Sequence, residues 1–138
     1  MGTETILLVE AQPADVAITS ASLEREGYTV LLAGNYDSAL GIFDQHRDDI
    51  DFLVTDISLP GNNGCELAKN ILNLKPDIRV LLVSGHTAAE VSRFCDLSLS
   101  DVHFLQKPFK PLDLLLRLCR VRLSSDLPAA KAWLRRWF

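Results

Sequence analysis

Four polar residues stand where apolar runs end, and each has a side chain that could do chemistry there. Glu10 follows Ile6–Val9, Asp56 closes the run that begins at Asp51, Ser84 follows Val80–Val83, and Lys107 lies just past His103–Leu105. Asp56 is the most informative, because a sharp turn through Leu59, Pro60 and Gly61 comes directly after it. A carboxylate at the carboxyl end of a buried strand is rigidly held yet open to solvent, and α/β sheets present ligands outside such strand ends. If the runs are parallel neighbours, Glu10, Asp56, Ser84 and Lys107 converge on one rim. The set would then be two acids, a hydroxyl and an ammonium.

Elements that could position such a rim are visible along the chain. Apolar runs at Thr5–Val9, Tyr28–Ala33, Phe52–Thr55, Arg79–Val83 and Val102–Leu105 alternate with helical patterns. Three of them (Thr5–Val9, Phe52–Thr55 and Arg79–Val83) show little polar alternation, as strands buried on both faces do. Helices are expected over Ala14–Glu26, closed by Gly27, and over Tyr36–Gln45, with Ala39, Leu40 and Phe43 on one face. Two more follow: Gly64–Leu74, burying Leu67, Ala68 and Ile71 before Pro76, and Ala88–Leu97, burying Val91, Phe94 and Cys95. Strand–helix repetition with short links implies an α/β domain with a doubly wound parallel sheet and right-handed crossovers.

The last long helix, from Pro111, carries two apolar lines. Leu112, Leu115, Leu116, Cys119 and Leu123 have the spacing of a core stripe, while Leu114, Leu118 and Val121 form a second line rotated from it. A helix needs one apolar face to sit on a sheet, so the second line is expected to be covered by something else. Beyond residue 124 an extension over 125–138 is expected to hold a short helix with Ala130, Trp133, Leu134 and Trp137 on one face. That face is expected to cover Leu114, Leu118 and Val121, in the same chain or in a symmetric dimer.

Size and composition bound the rest. A chain of 138 residues with 48% apolar content is one domain that can bury its own core. It has no apolar stretch long enough to span a bilayer and no signal-peptide pattern, which points to a cytoplasmic protein. Cys65, Cys95 and Cys119 lack metal-ligand spacing and are expected to be reduced, mostly buried thiols. Residues 1–109 hold 7 Lys/Arg against 16 Asp/Glu, whereas residues 110–138 hold 7 against 2. The acidic body argues against a nucleic-acid partner. Only the tail, where Lys131, Arg135 and Arg136 accompany Trp133 and Trp137, has the composition for phosphate backbones or lipid headgroups.

Taken together, Ile6–Glu10, Thr55–Gly61 with Gly64, Ser84–Gly85 and Lys107–Phe109 resemble the receiver domain of two-component response regulators, in register over residues 5–123. The resemblance implies a flavodoxin-like five-stranded sheet of order 2-1-3-4-5 with five flanking helices, a receiver at 1–124 and the extension beyond it. It implies that Asp56 is a phosphoacceptor, served by a histidine kinase or phosphotransfer protein. Ser84 and Lys107 would hold the phosphoryl group, and Phe104 would be the switch aromatic that answers to a downstream protein target. It further implies a cis Lys107–Pro108 bond, association through the last receiver helix as a homodimer, and no enzymatic role beyond assisting its own phosphorylation and dephosphorylation. Mg2+ would be held by Glu10, Asp56 and the backbone carbonyl of Ser58. One position departs from the pattern: Ala11 stands where a second acid normally binds the ion directly. The loss of that ligand should weaken Mg2+ by about 1–3 kcal/mol, with neutral Gln12 compensating only in part. The departure opens a second reading, a receiver-shaped adaptor that works without phosphorylation.

Overall fold

The computed structural model describes residues 4–95 and 102–126. Its elements run β1 (Thr5–Val9), α1 (Pro13–Arg25), β2 (Thr29–Ala33), α2 (Tyr36–Gln45), β3 (Ile50–Asp56), α3 (Gly64–Leu74), β4 (Arg79–Ser84), α4 (Ala88–Phe94), β5 (His103–Gln106) and α5 (Pro111–Asp126). The five strands are parallel and ordered β2-β1-β3-β4-β5, as expected. Strand β1 and helices α2 and α3 match the expected spans, and no other bound moves by more than three residues. The short C-terminal helix and Leu97 lie outside the described residues.

Successive side chains of a strand point to opposite faces, so each apolar run feeds two cores. Leu7, Val9, Leu53, Val80 and Leu82 meet Ala39 and Phe43 of α2, Leu67, Ala68 and Ile71 of α3, and Val91 of α4. Their strand neighbours Ile6, Leu8, Phe52, Val54, Leu81 and Val83 meet Leu23 of α1 and the inner line of α5. Local signals fix the helix ends. Pro13 occupies the first turn of α1, and Gly27, at φ 94°, takes the left-handed conformation after that helix. Asn35, Asn63 and Thr87 cap α2, α3 and α4, the last in a reciprocal box with Glu90.

Two expectations are corrected. On α5 the buried line is Leu114, Leu118 and Val121, while Leu112 and Leu116 are about three-fifths exposed and Cys119 is exposed. Apolar spacing cannot separate two lines of equal quality; the flanking arginines decide. Arg117 donates to the carbonyl of Phe104, and Arg122 reaches Glu4 at 2.7 Å and the Tyr28 hydroxyl at 3.2 Å. Both arginines stand beside the inner line, and their guanidinium groups find acceptors on β5 and next to the starts of β1 and β2. The cysteines differ as well: Cys65 and Cys95 form a disulfide that joins the start of α3 to the end of α4. A separation of 30 residues carries no pairing signal, and only the fold brings them to a Cα–Cα distance of 5.6 Å.

Candidate functional site

Strand register assembles the rim. Val9 lies beside Thr55, so Glu10 and Asp56 leave the sheet side by side. Asp56 lies beside Val83 and Ser84 beside Gln106, which sets Ser84 and Lys107 on the next two tips. All four residues singled out from the sequence thus meet at one sheet edge. The Lys107 amine donates to Asp56 Oδ2 at 2.6 Å and to Glu10 Oε2 at 2.8 Å.

Backbone groups hold each member in place. Glu10, only 8% exposed, accepts the Gln12 N–H on Oε1, and its own N–H donates to the Ala33 carbonyl. Asp56 Oδ1 accepts the Ser58 N–H at 3.1 Å. Ser84 is buried; its hydroxyl accepts the His86 N–H at 3.0 Å, and its carbonyl accepts the Lys107 N–H at 2.7 Å. The Lys107–Pro108 bond is cis, as the resemblance implied. Phe104 is half-buried and packs against the core under α2, α3 and α4.

Close packing immobilises the turn after Asp56. The Gly64 N–H donates to the Ile57 carbonyl at 2.8 Å. A methyl group on Gly64 would stand 2.1 Å from the Asp56 carbonyl oxygen, so only glycine lets α3 start so near the strand end.

The electrostatics follow from two half-hidden acids around one cation. Burial raises the Glu10 carboxyl above its ordinary range, the neighbouring Asp56 adds to this, and the Lys107 and Gln12 hydrogen bonds pull it back. For Lys107 burial is the largest single influence and works downward. The hydrogen bonds and charges of Asp56 and Glu10 together outweigh it, so the ammonium is held more firmly than usual. Asp15, at the start of α1, adds a third carboxylate 3.6 Å from the amine. In the sequence Asp15 is one more acid in a helical first turn, and nothing there marks it as a rim residue. Behind these charges a cavity of about 240 Å3 runs between α1 and α5, walled by Leu8, Ile18, Val54, Val83 and Leu114.

The same geometry tests the fit of a divalent ion. Mg2+ asks for about six oxygens in octahedral array. Glu10, Asp56 and the Ser58 carbonyl could supply three of them, but both carboxylates are engaged by Lys107. Ala11 lies with Gln12, Ser58, Asn63 and His86 along an open cleft and brings no oxygen from its side chain. Among the described residues no group of three or more His, Cys, Asp or Glu is arranged to hold a metal. The residues present do not make a complete Mg2+ site. The rim can still offer a nucleophilic carboxylate, a movable ammonium beside it and a hydroxyl on the adjacent tip. His86 has its ring within 3.8 Å of Glu90, and its backbone N–H serves Ser84.

Comparison with known proteins agrees with this geometry. The family model for the response regulator receiver domain matches residues 6–119. The transcriptional regulatory protein CreB of Escherichia coli is 29% identical over 119 residues, covering 86% of this chain and 50% of CreB. The chain spans about half, or less, of the length of the curated relatives it matches. Among solved structures, a CheY-like receiver domain protein from Methanospirillum hungatei has a TM-score of 0.77 at 28% identity, covering 89% of this chain and 96% of that one. The response regulator TrrA of Thermotoga maritima, in complex with Mg2+-BeF, has a TM-score of 0.73 at 26% identity, covering 86% and 98%. Among the described residues no helix is long and apolar enough to cross a membrane.

Proposed function

We propose, from the premise that this chain belongs to the response regulator receiver domain family, that Asp56 accepts a phosphoryl group and that the rim around it converts the added charge into a change of protein contacts. The observation that carries this reading is the Lys107 amine held between Asp56 and Glu10. An Asp56 oxygen attacks phosphorus, and the P–N bond of a phosphohistidine breaks on a histidine kinase or phosphotransfer protein. The electron pair returns to the imidazole. Lys107, already beside Asp56, stays with the new dianionic group as a point charge and releases Glu10. Ser84, on the neighbouring tip, donates a hydrogen bond from its hydroxyl to a phosphoryl oxygen. Phe104 and its strand then adjust to the moved Ser84 turn and present a different face to a downstream protein. In this reading the receiver body is residues 1–124, with 125–138 as an extension that begins within the last turn of α5.

Incubation with acetyl phosphate, followed by intact mass, tests the reading. An adduct in the wild type that is absent from Asp56→Asn is the expected result, and no adduct with either a small-molecule donor or a cognate kinase overturns it. Ala11 favours a second reading, in which the same fold binds its partner without phosphorylation. Equal partner affinity for the wild type and Asp56→Ala would support that adaptor; a loss of affinity on withdrawing the phosphodonor would remove it.

A further inference from the structure

Cys65 and Cys95 are both buried, and the bond between them closes a loop of the chain around the Ser84 turn. Inside that loop lie the rest of α3, strand β4, Ser84 and all of α4. Two of these parts are fixed without the bond. Strand β4 pairs with β3 on one side and β5 on the other, and α3 buries Leu67, Ala68 and Ile71. Helix α4 is held differently. It has seven residues, and among its described side chains only Val91 is buried, while Ala88, Ala89, Glu90, Ser92 and Arg93 are exposed. A helix this short is not stable by itself and depends on what anchors it. The capping box of Thr87 and Glu90 secures its first turn. Its last turn runs into Cys95, whose N–H donates to the Val91 carbonyl and whose sulfur is bonded to Cys65.

We infer that the Cys65–Cys95 pair is a redox modification site whose state, disulfide or dithiol, sets how firmly α4 and the Ser84 turn are held. In the exchange, the thiolate of an external thiol attacks one sulfur of the pair. The S–S electron pair leaves with the other sulfur, which takes up a proton. A second external thiolate then attacks the mixed disulfide, releasing the remaining cysteine as its thiol and leaving the two reagent molecules joined by a disulfide. Two external thiols are oxidised as the pair is reduced, and the reagent disulfide restores the link by the reverse steps. Either state suits the fold. With Cα atoms 5.6 Å apart the two residues stay neighbours when the bond opens, and small thiols are compatible with an apolar core. A cross-link restrains whatever is not otherwise fixed, which here is the segment from Gly85 to Cys95. That segment starts at Ser84, whose hydroxyl accepts the His86 N–H and whose carbonyl accepts the Lys107 N–H. The link therefore bears on the turn beside Asp56 without touching the carboxylate itself.

The test uses the full chain with Cys119→Ser, so that the exposed free thiol takes no part. The protein is equilibrated in glutathione buffers from fully reduced to fully oxidised, quenched with acid, alkylated and weighed intact. It should pass reversibly between a form with no alkyl adduct and a form with two. Hydrogen exchange is then followed by mass spectrometry on both forms, with no phosphodonor present. Peptides from residues 85–95 should exchange about tenfold or more faster in the dithiol form, while those of β1 and β3 stay unchanged. Cys65→Ser/Cys95→Ser should exchange as the dithiol form does and ignore the buffer. A pair that keeps one state across the whole series overturns the inference. Equal exchange of residues 85–95 in the two forms also overturns it, as does a loss of protection spread evenly over the chain. None of these results depends on phosphoryl acceptance by Asp56, so the two readings fail separately.

Discussion

Replacing Ala11 by aspartate would restore the acid that the family likeness expects at this position, and the rim geometry sets what should follow. Glu10 and Asp56 already share a single ammonium at 2.8 and 2.6 Å. A further carboxylate beside Glu10, on the open cleft that Ala11 lines, adds repulsion of about 1 kcal/mol at the dielectric of bulk water. Without metal, Ala11→Asp should therefore melt a few degrees below the wild type. With Mg2+ the sign reverses, because the new oxygen is a direct anionic ligand worth about 1.5–3 kcal/mol. Take the Mg2+ concentration that half-saturates the wild type, where binding stabilises by about 0.4 kcal/mol. A variant that binds about 30-fold more tightly gains about 2 kcal/mol at that same concentration. At roughly 3–5 °C per kcal/mol for a domain of this size, the two melting curves should cross as Mg2+ is added. Thermal denaturation over a Mg2+ titration reads the crossing. Equal Mg2+ dependence in both proteins would refute the assignment of Ala11 as the missing ligand position.

Other substitutions probe the remaining links. Lys107→Met leaves Glu10, at 8% exposure, and Asp56 facing each other with no cation, and should cost about 2–4 kcal/mol in urea denaturation near neutral pH. A cost under about 0.5 kcal/mol would mean that the ammonium does not hold the rim. Because the Lys107 amine is raised, its stabilisation is complete below its ordinary value of 10.5 and is lost as pH climbs through its higher folded value. The wild-type advantage over Lys107→Met should accordingly be level through mild alkali and shrink only above it. The Glu10 carboxyl is also raised, which has the opposite consequence for an acid: its ionisation costs stability as pH rises from 4.5 upward. Glu10→Gln should gain on the wild type between mildly acidic and neutral pH, and a constant difference across that range would contradict the assignment. On α5, Leu114→Ala should cost about 2–5 kcal/mol and Leu112→Ala about 0.5 kcal/mol or less; the reverse order would overturn the register described for that helix.

Why the rim was legible and α5 was not comes down to kinds of signal. Glu10, Asp56, Ser84 and Lys107 each follow a run whose apolar character ends abruptly, so chain position alone locates them at strand tips. Parallel pairing then places neighbouring tips together without further information. The strand order came from the family likeness, since burial on both faces is the same for any interior strand. Leu114 and Leu112 are alike in character and spacing, and only the acceptors that Arg117 and Arg122 find across the sheet tell them apart. Asp15 and the Cys65–Cys95 pair are contacts of the folded chain, between residues that nothing in the local pattern connects.

The tight start of α3 has a wider consequence. No room for even one carbon atom remains between Gly64 and the strand end that carries Asp56, and the very next residue is tied to the far end of α4 through Cys95. The end of β3, the third helix and the fourth helix are therefore linked in series by one close backbone contact and one covalent bond, and a shift of that strand end has to be met by the start of α3.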